Sequence, residues 1–449
     1  MRRTIFLVLA LVGCGGGSSE PDASVPTNDA SIDQTALEAG SDADSAPPIV
    51  IPAACNGSKA STATAATSLP DVPAAIKVPA GFTIEVVASV GQARELAPLP
   101  NGDLLVATNG SSIEIIPNAE ADGAPGKAQK FADAPDAYPQ GIAYAPTTCT
   151  IYLGTTAGIY STTYADAQLT GTFTAPIAKV RQGSVTPNSD GDVHKTTSVA
   201  YSNGKLYAGV GSGCNACTEV DPTRATIQMM DADGANMTTR GARMRNAIAL
   251  ATNPATGTVW AGGAGQDDVC NNDPSACSSG IGHPYEYFDA LTLHASPADY
   301  GWPSCEENHN PFGASADCSQ TVAPLIELPA YSTLIGAAFY EPPSGATHAF
   351  PSSYAGGVFI AAHGSWHTAA DNGFAASPLV VFVAMNGDTP KVPVDWNDPT
   401  KQWTGFVTGF QDPGTQTRHG RPTGVAVGSK GSLFVADDAN GLVYRIRPM

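Results

Sequence analysis

The clearest indication of the fold is the stretch Gly424-Val425-Ala426-Val427-Gly428-Ser429-Lys430-Gly431-Ser432-Leu433-Phe434-Val435-Ala436. Its pattern predicts an apolar strand, a turn and a second strand. The pattern recurs, and the first apolar residue after each turn is Leu104, Ile151, Leu206, Val259, Val358 and Leu433. The spacings are 47, 55, 53, 99 and 75 residues. A repeat of about 50 residues made of short strands is typical of a propeller blade. Six copies predict an all-β, six-bladed β-propeller of four-stranded antiparallel blades; a β-sandwich is the competing architecture.

The two long spacings predict insertions between blades. The segment 270–330 is one of them, and it carries four of the cysteines. In a propeller the first strand of each blade lines a central channel, and the loops at one end of that channel converge. Residues that are distant in sequence are therefore expected to form one pocket there.

Charge and composition exclude several classes of protein. The 449 residues include 41 Asp or Glu and 22 Lys or Arg, a formal net charge of −19. Nucleic-acid binding needs a basic face, so this balance argues against it. It equally disfavours docking on anionic lipid through a basic patch. The 47 glycines and 36 prolines predict frequent turns rather than long helices.

The N-terminal residues are typical of an export signal. Residues 1–12 hold two arginines followed by an apolar run, and Gly13-Cys14 after it resembles a bacterial lipobox. We expect residues 1–13 to be a lipoprotein signal peptide and Cys14 to be acylated; an ordinary signal peptide or a short buried strand is the alternative. Residues 14–53 are predicted to be a disordered acidic tether, and residues 54–449 the propeller.

These features predict a lipid-anchored protein of the cell envelope, on the periplasmic side or the cell surface. Its only contact with a membrane would be the anchor, and we expect a monomer. Eight cysteines remain after Cys14, and an even number in an exported protein indicates disulfides. Proximity suggests pairing Cys270 with Cys277, Cys305 with Cys318 and Cys214 with Cys217, which leaves Cys55 with Cys149. The Cys214-Asn215-Ala216-Cys217 motif is alternatively a redox or zinc motif.

Arginines and histidines precede several of the predicted first strands. Arg243 and Arg245 come before Ala249, and Arg418 and Arg421 come before Gly424, so both pairs are expected at the channel mouth. The planar guanidinium suits carboxylate or phosphate; pairing with local acids is the structural alternative.

Other candidate groups lie near the same mouth. His194 also precedes a first strand, where its imidazole could take a proton from a substrate hydroxyl or serve only as a loop residue. His363 follows a blade strand and carries the same two interpretations. Asp267 and Asp268 could hold Ca²⁺ or form a solvated acidic loop.

A set of short motifs runs in order across about residues 76–449. They are residues 79–84, 93–97, His194 before Lys205-Leu206-Tyr207, 211–219, Arg245-Asn246, 300–303, 363–366, 420–422 and 435–438. Together they resemble the glucose/sorbosone dehydrogenase family, and more closely its L-sorbosone dehydrogenase-like branch. The resemblance implies a six-bladed propeller that binds pyrroloquinoline quinone (PQQ), helped by Ca²⁺, and oxidises sugars or related alcohols and aldehydes.

The resemblance also implies roles for individual residues. It makes His194 the general base and Arg245, Asn246 and Arg421 contacts of the cofactor. Asp438 matches an acid near the cofactor. The calcium loop of the family falls on Gly265, Gln266 and Asp267.

We therefore expect a PQQ-dependent sugar or sorbosone dehydrogenase. His194 would assist hydride transfer from an aldose, an alcohol or an aldehyde to the quinone, and the electrons would pass to an external acceptor. One alternative is a non-catalytic propeller that binds glycan or protein at the cell envelope. A metal-dependent lactonase-type propeller is another.

Overall fold

The computed structural model describes residues 50–184, 192–269, 284–305, 308–312, 316–366 and 375–449. Ile49–Met449 forms one compact unit. The predicted signal peptide, Cys14, most of the tether and the predicted pairing of Cys270 with Cys277 lie outside the described residues. Within them, no helix has both the length and the apolar character needed to cross a membrane.

Six four-stranded sheets form the blades of a propeller, and within each of them neighbouring strands are antiparallel. From the innermost strand outward, blade 1 is Ala93–Pro98, Leu104–Thr108, Ser112–Ile116 and Gln129–Asp133; blade 2 is Gly141–Ala145, Thr150–Gly154, Gly158–Thr163 and Pro176–Lys179; and blade 3 is Thr197–Ser202, Lys205–Val210, Thr226–Asp231 and Thr238–Ala242. Blade 4 is Asn246–Thr252, Val259–Ala264, Glu286–Asp289 and Ile326–Leu328; blade 5 is Leu334–Phe339, Val358–Ala362, Leu379–Val383 and Trp403–Val407; and blade 6 is Pro422–Val427, Leu433–Asp437, Leu442–Pro448 and Phe82–Ser89. The prediction of six blades is confirmed.

The six apolar residues that gave the repeat all lie in the second strand of a blade. The short strands and 3-10 segments that do not belong to the blades lie in the two long spacings, apart from Ala53–Cys55, which precedes the first blade. Ala298–Asp299 pairs in parallel with the outermost strand of blade 3, and Met385–Asn386 pairs with Thr389–Pro390. Short 3-10 segments are Ala53–Cys55, Leu291–Leu293, Ser352–Tyr354 and Pro399–Gln402.

The N-terminal strand closes the ring. Phe82–Ser89 pairs with Leu442–Pro448, so blade 6 combines both ends of the propeller chain. Arg445 is fully buried and binds Glu85 across this pair at 3.0 Å. It also donates to the carbonyl oxygens of Ala119 and Ala121 at 2.8 and 2.6 Å, which ties blade 6 to blade 1.

The core lies between the blades, where apolar side chains of facing sheets pack together. Between blades 5 and 6, Phe82 packs edge-on against Phe350 and Phe406 with ring centroids 4.6 and 5.2 Å apart. Such edge-to-face pairs stabilise beyond their buried area. The disulfides Cys55–Cys149, Cys214–Cys217 and Cys305–Cys318 are formed, which confirms three of the predicted pairings.

The innermost strands stand side by side around the channel, each against the innermost strand of the next blade. Glycines make this close approach possible. A Cβ on Gly424 would lie 2.2 Å from the carbonyl oxygen of Arg94, and a Cβ on Gly141 would lie 2.2 Å from that of Thr197. The first residues of these strands surround one end of the channel and their last residues surround the other.

Candidate functional site

The channel mouth at the first residues of the innermost strands is a polar cavity of about 400 Å³. Its lining includes Arg94, Asn109, Gln140, His194 and Asn246, from blades 1 to 4. An adjoining cavity of about 290 Å³ shares His194 and adds Asn215, Arg245, Asp267 and Trp366. The loops of five blades therefore meet at one end of the channel, as the repeat predicted.

His194 has a defined tautomer. Its Nδ1 lies 3.1 Å from the carbonyl oxygen of Ser212 and 2.8 Å from Ser212 Oγ. A carbonyl oxygen only accepts, so Nδ1 carries the proton and Nε2 keeps its lone pair. Burial, together with nearby Arg245, lowers the pKa of His194 to about 3, although the hydrogen bond to Ser212 opposes this. The imidazole is neutral near pH 7, and Nε2 is able to accept a proton.

Arg245 lies beside His194 and is almost fully buried, with a side chain 4% exposed. Its Nη2 binds Asp267 Oδ2 at 2.9 Å, and its Nε donates to the carbonyl oxygen of Asn215 at 3.1 Å. The next residue, Asn246, lines the cavity, and its buried Oδ1 has no hydrogen-bond partner among the described residues. Both predicted contacts therefore reach the mouth.

A second charged group connects blades 1, 5 and 6. Asp438 accepts from Arg94 Nη1 at 3.0 Å through Oδ2 and lies 3.0 Å from His363 Nε2 through Oδ1. Burial opposes ionisation of Asp438, but the hydrogen bond from His363 and the charge of Arg94 hold its pKa at about 2. Burial lowers the pKa of His363 to about 4 despite its bond to Asp438.

Arg421 completes this group from the start of blade 6. It donates to the carbonyl oxygens of His363 and Gly364 at 3.1 and 2.7 Å. Arg418 donates to the carbonyl oxygen of Ser365 in the same loop. Burial and neighbouring Arg418 lower the pKa of Arg421 to about 10, so it is still charged near pH 7. Within the described part of the chain, the Arg421 guanidinium hydrogen-bonds to carbonyls rather than to a carboxylate.

The expectation that Arg243 projects toward the mouth is wrong. Its backbone adopts a positive φ of 55° directly after the outermost strand of blade 3. The guanidinium turns to Asp299, with Nε–Oδ1 and Nη2–Oδ2 distances of 2.6 and 2.9 Å. Arg243 therefore forms a half-exposed structural ion pair, as in the alternative considered for these arginines.

Comparison with known proteins places the chain in a family. The TrAA12-like family model matches residues 76–313 and 313–449. The chain belongs to the TrAA12-like family. A curated relative, an uncharacterised protein of Borreliella burgdorferi, is 21% identical over 267 residues, or 58% of this chain, and the chain spans 62% of that relative's length.

Solved structures with low sequence identity share the fold of this TrAA12-like chain. The holo PQQ domain of a pyranose dehydrogenase from Coprinopsis cinerea has a TM-score of 0.64 at 17% identity, covering 84% of this chain and 98% of that one. A Trichoderma reesei family AA12 structure with iodide has a TM-score of 0.64 at 18% identity, covering 86% and 100%. The apo soluble aldose sugar dehydrogenase of Escherichia coli has a TM-score of 0.54 at 15% identity, covering 82% and 100%. The resemblance to glucose dehydrogenases is confirmed at the level of fold, and the L-sorbosone branch stays a prediction.

The predicted calcium loop of the TrAA12-like chain is largely occupied by internal bonds. The Asp267 carboxylate binds Arg245, and the Asp267 carbonyl oxygen accepts from Asn215 Nδ2 at 2.9 Å. Gly265 N–H donates to Glu286 at 2.6 Å, and Gln266 Oε1 is buried without a hydrogen-bond partner in the described ranges. A calcium ion would share Asp267 with Arg245, so calcium binding here stays a prediction.

Another group with metal-ligand spacing is present in the described residues of the TrAA12-like chain. It consists of Cys214, Cys217 and Glu219. The two sulfurs are joined to each other, so in this arrangement they are not thiolate ligands for zinc. A disulfide is also the oxidised form of a redox motif, so the redox alternative stays a prediction.

Arg94 and Gln140 line the mouth but were not predicted from the sequence. Arg94 is the second residue of the innermost strand of blade 1, and Gln140 directly precedes that of blade 2. The rule that placed Arg245 and Arg421 at the mouth, proximity to the start of a first strand, would have identified both. The buried atoms Arg94 Nε and Gln140 Oε1 have no hydrogen-bond partner among the residues the structure describes.

Proposed function

We propose that this protein is a PQQ-dependent oxidoreductase that oxidises a sugar or a sugar-derived alcohol or aldehyde. The observation that carries the proposal is the lone pair of His194 Nε2 at a channel mouth lined by arginines. The fold shared with a holo PQQ domain and with an aldose sugar dehydrogenase supports it.

The residues at the mouth fit PQQ, which is a planar tricarboxylate. Arg245, Asn246 and Arg421 would hold it, and Arg94 adds a charge that the sequence analysis did not assign. Buried Arg94 Nε and Asn246 Oδ1 have no hydrogen-bond partner in the described structure, as expected of groups that meet a ligand. The negative charge of Asp438 does not oppose an anion strongly, because Arg94 and His363 already bind it.

Bound PQQ would supply the hydride acceptor. His194 would accept the hydroxyl proton of the substrate at Nε2, and Ser212 holds the ring in the tautomer that this needs. Because His194 is buried and Arg245 lies nearby, the protonated imidazole is disfavoured, and His194 would return the proton to water in the cavity. Attachment of a c-type haem needs a histidine directly after the second cysteine of a Cys-x-x-Cys motif, and Thr218 directly follows Cys217. We therefore propose an external electron acceptor.

The test is titration of the mature chain with PQQ, with and without Ca²⁺, followed by dye reduction on adding aldoses or sorbosone. We expect stoichiometric binding and dye reduction. His194→Ala should bind PQQ with unchanged Kd and lose turnover. Unchanged turnover would remove His194 from the mechanism. Failure of the folded wild type to bind PQQ would overturn the proposal and favour a glycan- or protein-binding propeller. Hydrolysis of a lactone without an electron acceptor would favour the metal-dependent lactonase-type propeller.

We further infer that the protein is anchored at the cell envelope through an acylated Cys14. The support is the apolar run and Gly13-Cys14 of the sequence. Cys14→Ser should release the protein from the membrane fraction on expression in a bacterial host. Equal membrane retention of the variant would contradict the anchor.

A further inference from the structure

One loop, residues 212–217, lies between the proposed base and the proposed cofactor arginine. We propose that the Cys214–Cys217 disulfide loop positions both of them, through Ser212 on one side and Asn215 on the other. This inference rests on the proposed function, but the contacts that carry it belong to the protein alone. Ser212 and Asn215 are positioning residues here, since they act through His194 and Arg245.

The Ser212 side sets the orientation of His194. Ser212 is fully buried, and its Oγ donates to the carbonyl oxygen of Cys214 at 2.6 Å. A hydroxyl has one proton, so Oγ is left as an acceptor toward His194 Nδ1, at 2.8 Å. The Cys214 carbonyl therefore determines that Nδ1 of His194 is the protonated nitrogen. Ser212 N–H also donates to the carbonyl oxygen of Arg245 at 2.8 Å. This bond links the end of Lys205–Val210 to the start of Asn246–Thr252.

The Asn215 side sets the orientation of Arg245. The Asn215 carbonyl oxygen accepts from Arg245 Nε and from Trp302 Nε1, both at 3.1 Å. The side chain of Asn215 makes two hydrogen bonds to the backbone of Asp267. Asn215 Nδ2 donates to the Asp267 carbonyl oxygen, and the Asp267 N–H donates to Asn215 Oδ1, both at 2.9 Å. Asp267 then binds the other end of the guanidinium at 2.9 Å. Both partners of Arg245 thus depend on Asn215.

The disulfide makes these two sides one unit. The consecutive carbonyl groups of Cys214 and Asn215 serve the histidine side and the arginine side respectively. A covalent ring of four residues restricts how far either carbonyl can rotate. Cys214 is 4% exposed and packs with Ala225 and Trp302, so the ring is held against the protein. Opening it would release both catalytic groups together.

The test compares Cys214→Ser/Cys217→Ser with Cys55→Ser/Cys149→Ser, which removes a disulfide at the start of the domain. The readout is the imidazole tautomer of His194 at neutral pH by ¹⁵N NMR without PQQ, with the resonance assigned by His194→Gln. We expect wild type and control to show Nδ1–H and the loop variant to show a mixture with Nε2–H. The control should lose stability only.

Asn215→Ala keeps the disulfide and tests the other side, including the case in which the double variant does not fold. The backbone carbonyl that accepts from Arg245 Nε stays in this variant, but the two side-chain hydrogen bonds to Asp267 are lost. The Arg245 Nη2–H resonance, assigned by Arg245→Lys, should therefore lose protection from solvent exchange, because Asp267 is no longer held in place to accept from it. PQQ affinity should fall at least about tenfold and kcat/KM about 100-fold, as for misplaced supporting groups. An unchanged His194 tautomer in a folded loop variant, or an Arg245 Nη2–H still protected in Asn215→Ala, would overturn the inference. Failure of wild type to bind PQQ would overturn the proposed function but leave both NMR results decisive.

Discussion

Arg94 and Asp438 form an ion pair of 3.0 Å that joins the innermost strand of blade 1 to the end of the second strand of blade 6. Their side chains are 11% and 22% exposed, so the pair is largely shielded from solvent. Because Asp438 also binds His363, the pair connects three blades at the channel mouth. It places a positive charge in the same cavity as His194.

Replacing Arg94 should weaken cofactor binding. Arg94→Met removes a charge at the mouth and leaves Asp438 to repel the carboxylates of PQQ. We expect the Kd for PQQ to rise at least about tenfold, the loss of one charge-assisted hydrogen bond. Arg243→Met is the matched control, since Arg243 forms a half-exposed ion pair away from the mouth. Equal Kd values for the two variants, measured by optical titration, would contradict the placement of Arg94.

The low pKa of His194 predicts the pH profile of turnover. Burial lowers this pKa to about 3, so the base is neutral throughout the range in which an ordinary histidine titrates. We expect kcat/KM to show no acid limb between about pH 5 and 8. The contrary result is a fall of kcat/KM toward acid pH in this range that is absent from a residually active His194→Gln variant. It would show that the imidazole is protonated there and would contradict the low pKa of His194.

The same pKa predicts how stability depends on pH. His194 has a folded pKa of about 3 against an ordinary value of 6.5, so the unfolded chain binds more protons between these values. Its contribution to stability is complete above about pH 6.5 and is lost as the pH falls toward 3. The free energy of unfolding is measured in urea at pH 7 and at pH 5. Between these two pH values His194→Gln should lose less of it than wild type does, by up to about 1.4 kcal/mol per pH unit. Equal losses of unfolding free energy in wild type and His194→Gln between pH 7 and pH 5 would contradict the lowered pKa of His194.

Glu95 is expected to affect the pH dependence of stability in the opposite direction to His194. Burial raises its pKa from 4.5 to about 8, with Arg94 opposing, and its buried Oε1 has no hydrogen-bond partner among the described residues. The folded state holds the proton more tightly, so this contribution is complete below about pH 4.5 and is lost as the pH rises through about 8. Glu95→Gln should therefore stabilise the protein more at pH 8 than at pH 5 in urea unfolding. A pH-independent effect would contradict the raised pKa.

Arg445 should be the main polar stabiliser of ring closure. It is fully buried and binds Glu85 and two carbonyl oxygens, so Arg445→Met leaves several groups without a donor. We expect a loss of about 3 kcal/mol in the free energy of unfolding. Arg447→Met is the control, because Arg447 binds the same Glu85 at 3.1 Å but is 26% exposed, and it should cost less than about 1 kcal/mol. Comparable losses in denaturant titrations would contradict the role of Arg445.

Local patterns were sufficient to predict the blades but not their closure. Each second strand has an apolar residue at its first or second position after a turn, and that signal is contained in about a dozen residues. The outermost strand of blade 6 is Phe82–Ser89, whose partners lie at Leu442–Pro448. No local pattern contains such a pairing, because it depends on the geometry of the complete ring.

The same distinction applies to the site. Position before a first strand was enough to bring His194 and Arg245 to the mouth, since strand direction is common to all blades. Arg421, predicted there by the same rule, donates to the carbonyl oxygens of His363 and Gly364. The direction of a side chain was not predictable in the same way. Arg243 turns outward through a single positive φ, and the pairing of Arg245 with Asp267 depends on contacts across 22 residues.

Cys55 lies upstream of the closing strand, and its disulfide with Cys149 spans 94 residues. A pulling force applied to the chain before Cys55 enters the second blade through this covalent bond, next to Thr150–Gly154, before it reaches Phe82–Ser89. The hydrogen bonds that close the ring are therefore mechanically shielded. A force on the N-terminus of the protein would therefore not separate Phe82–Ser89 from Leu442–Pro448, the pair of strands in which the two ends of the propeller chain meet.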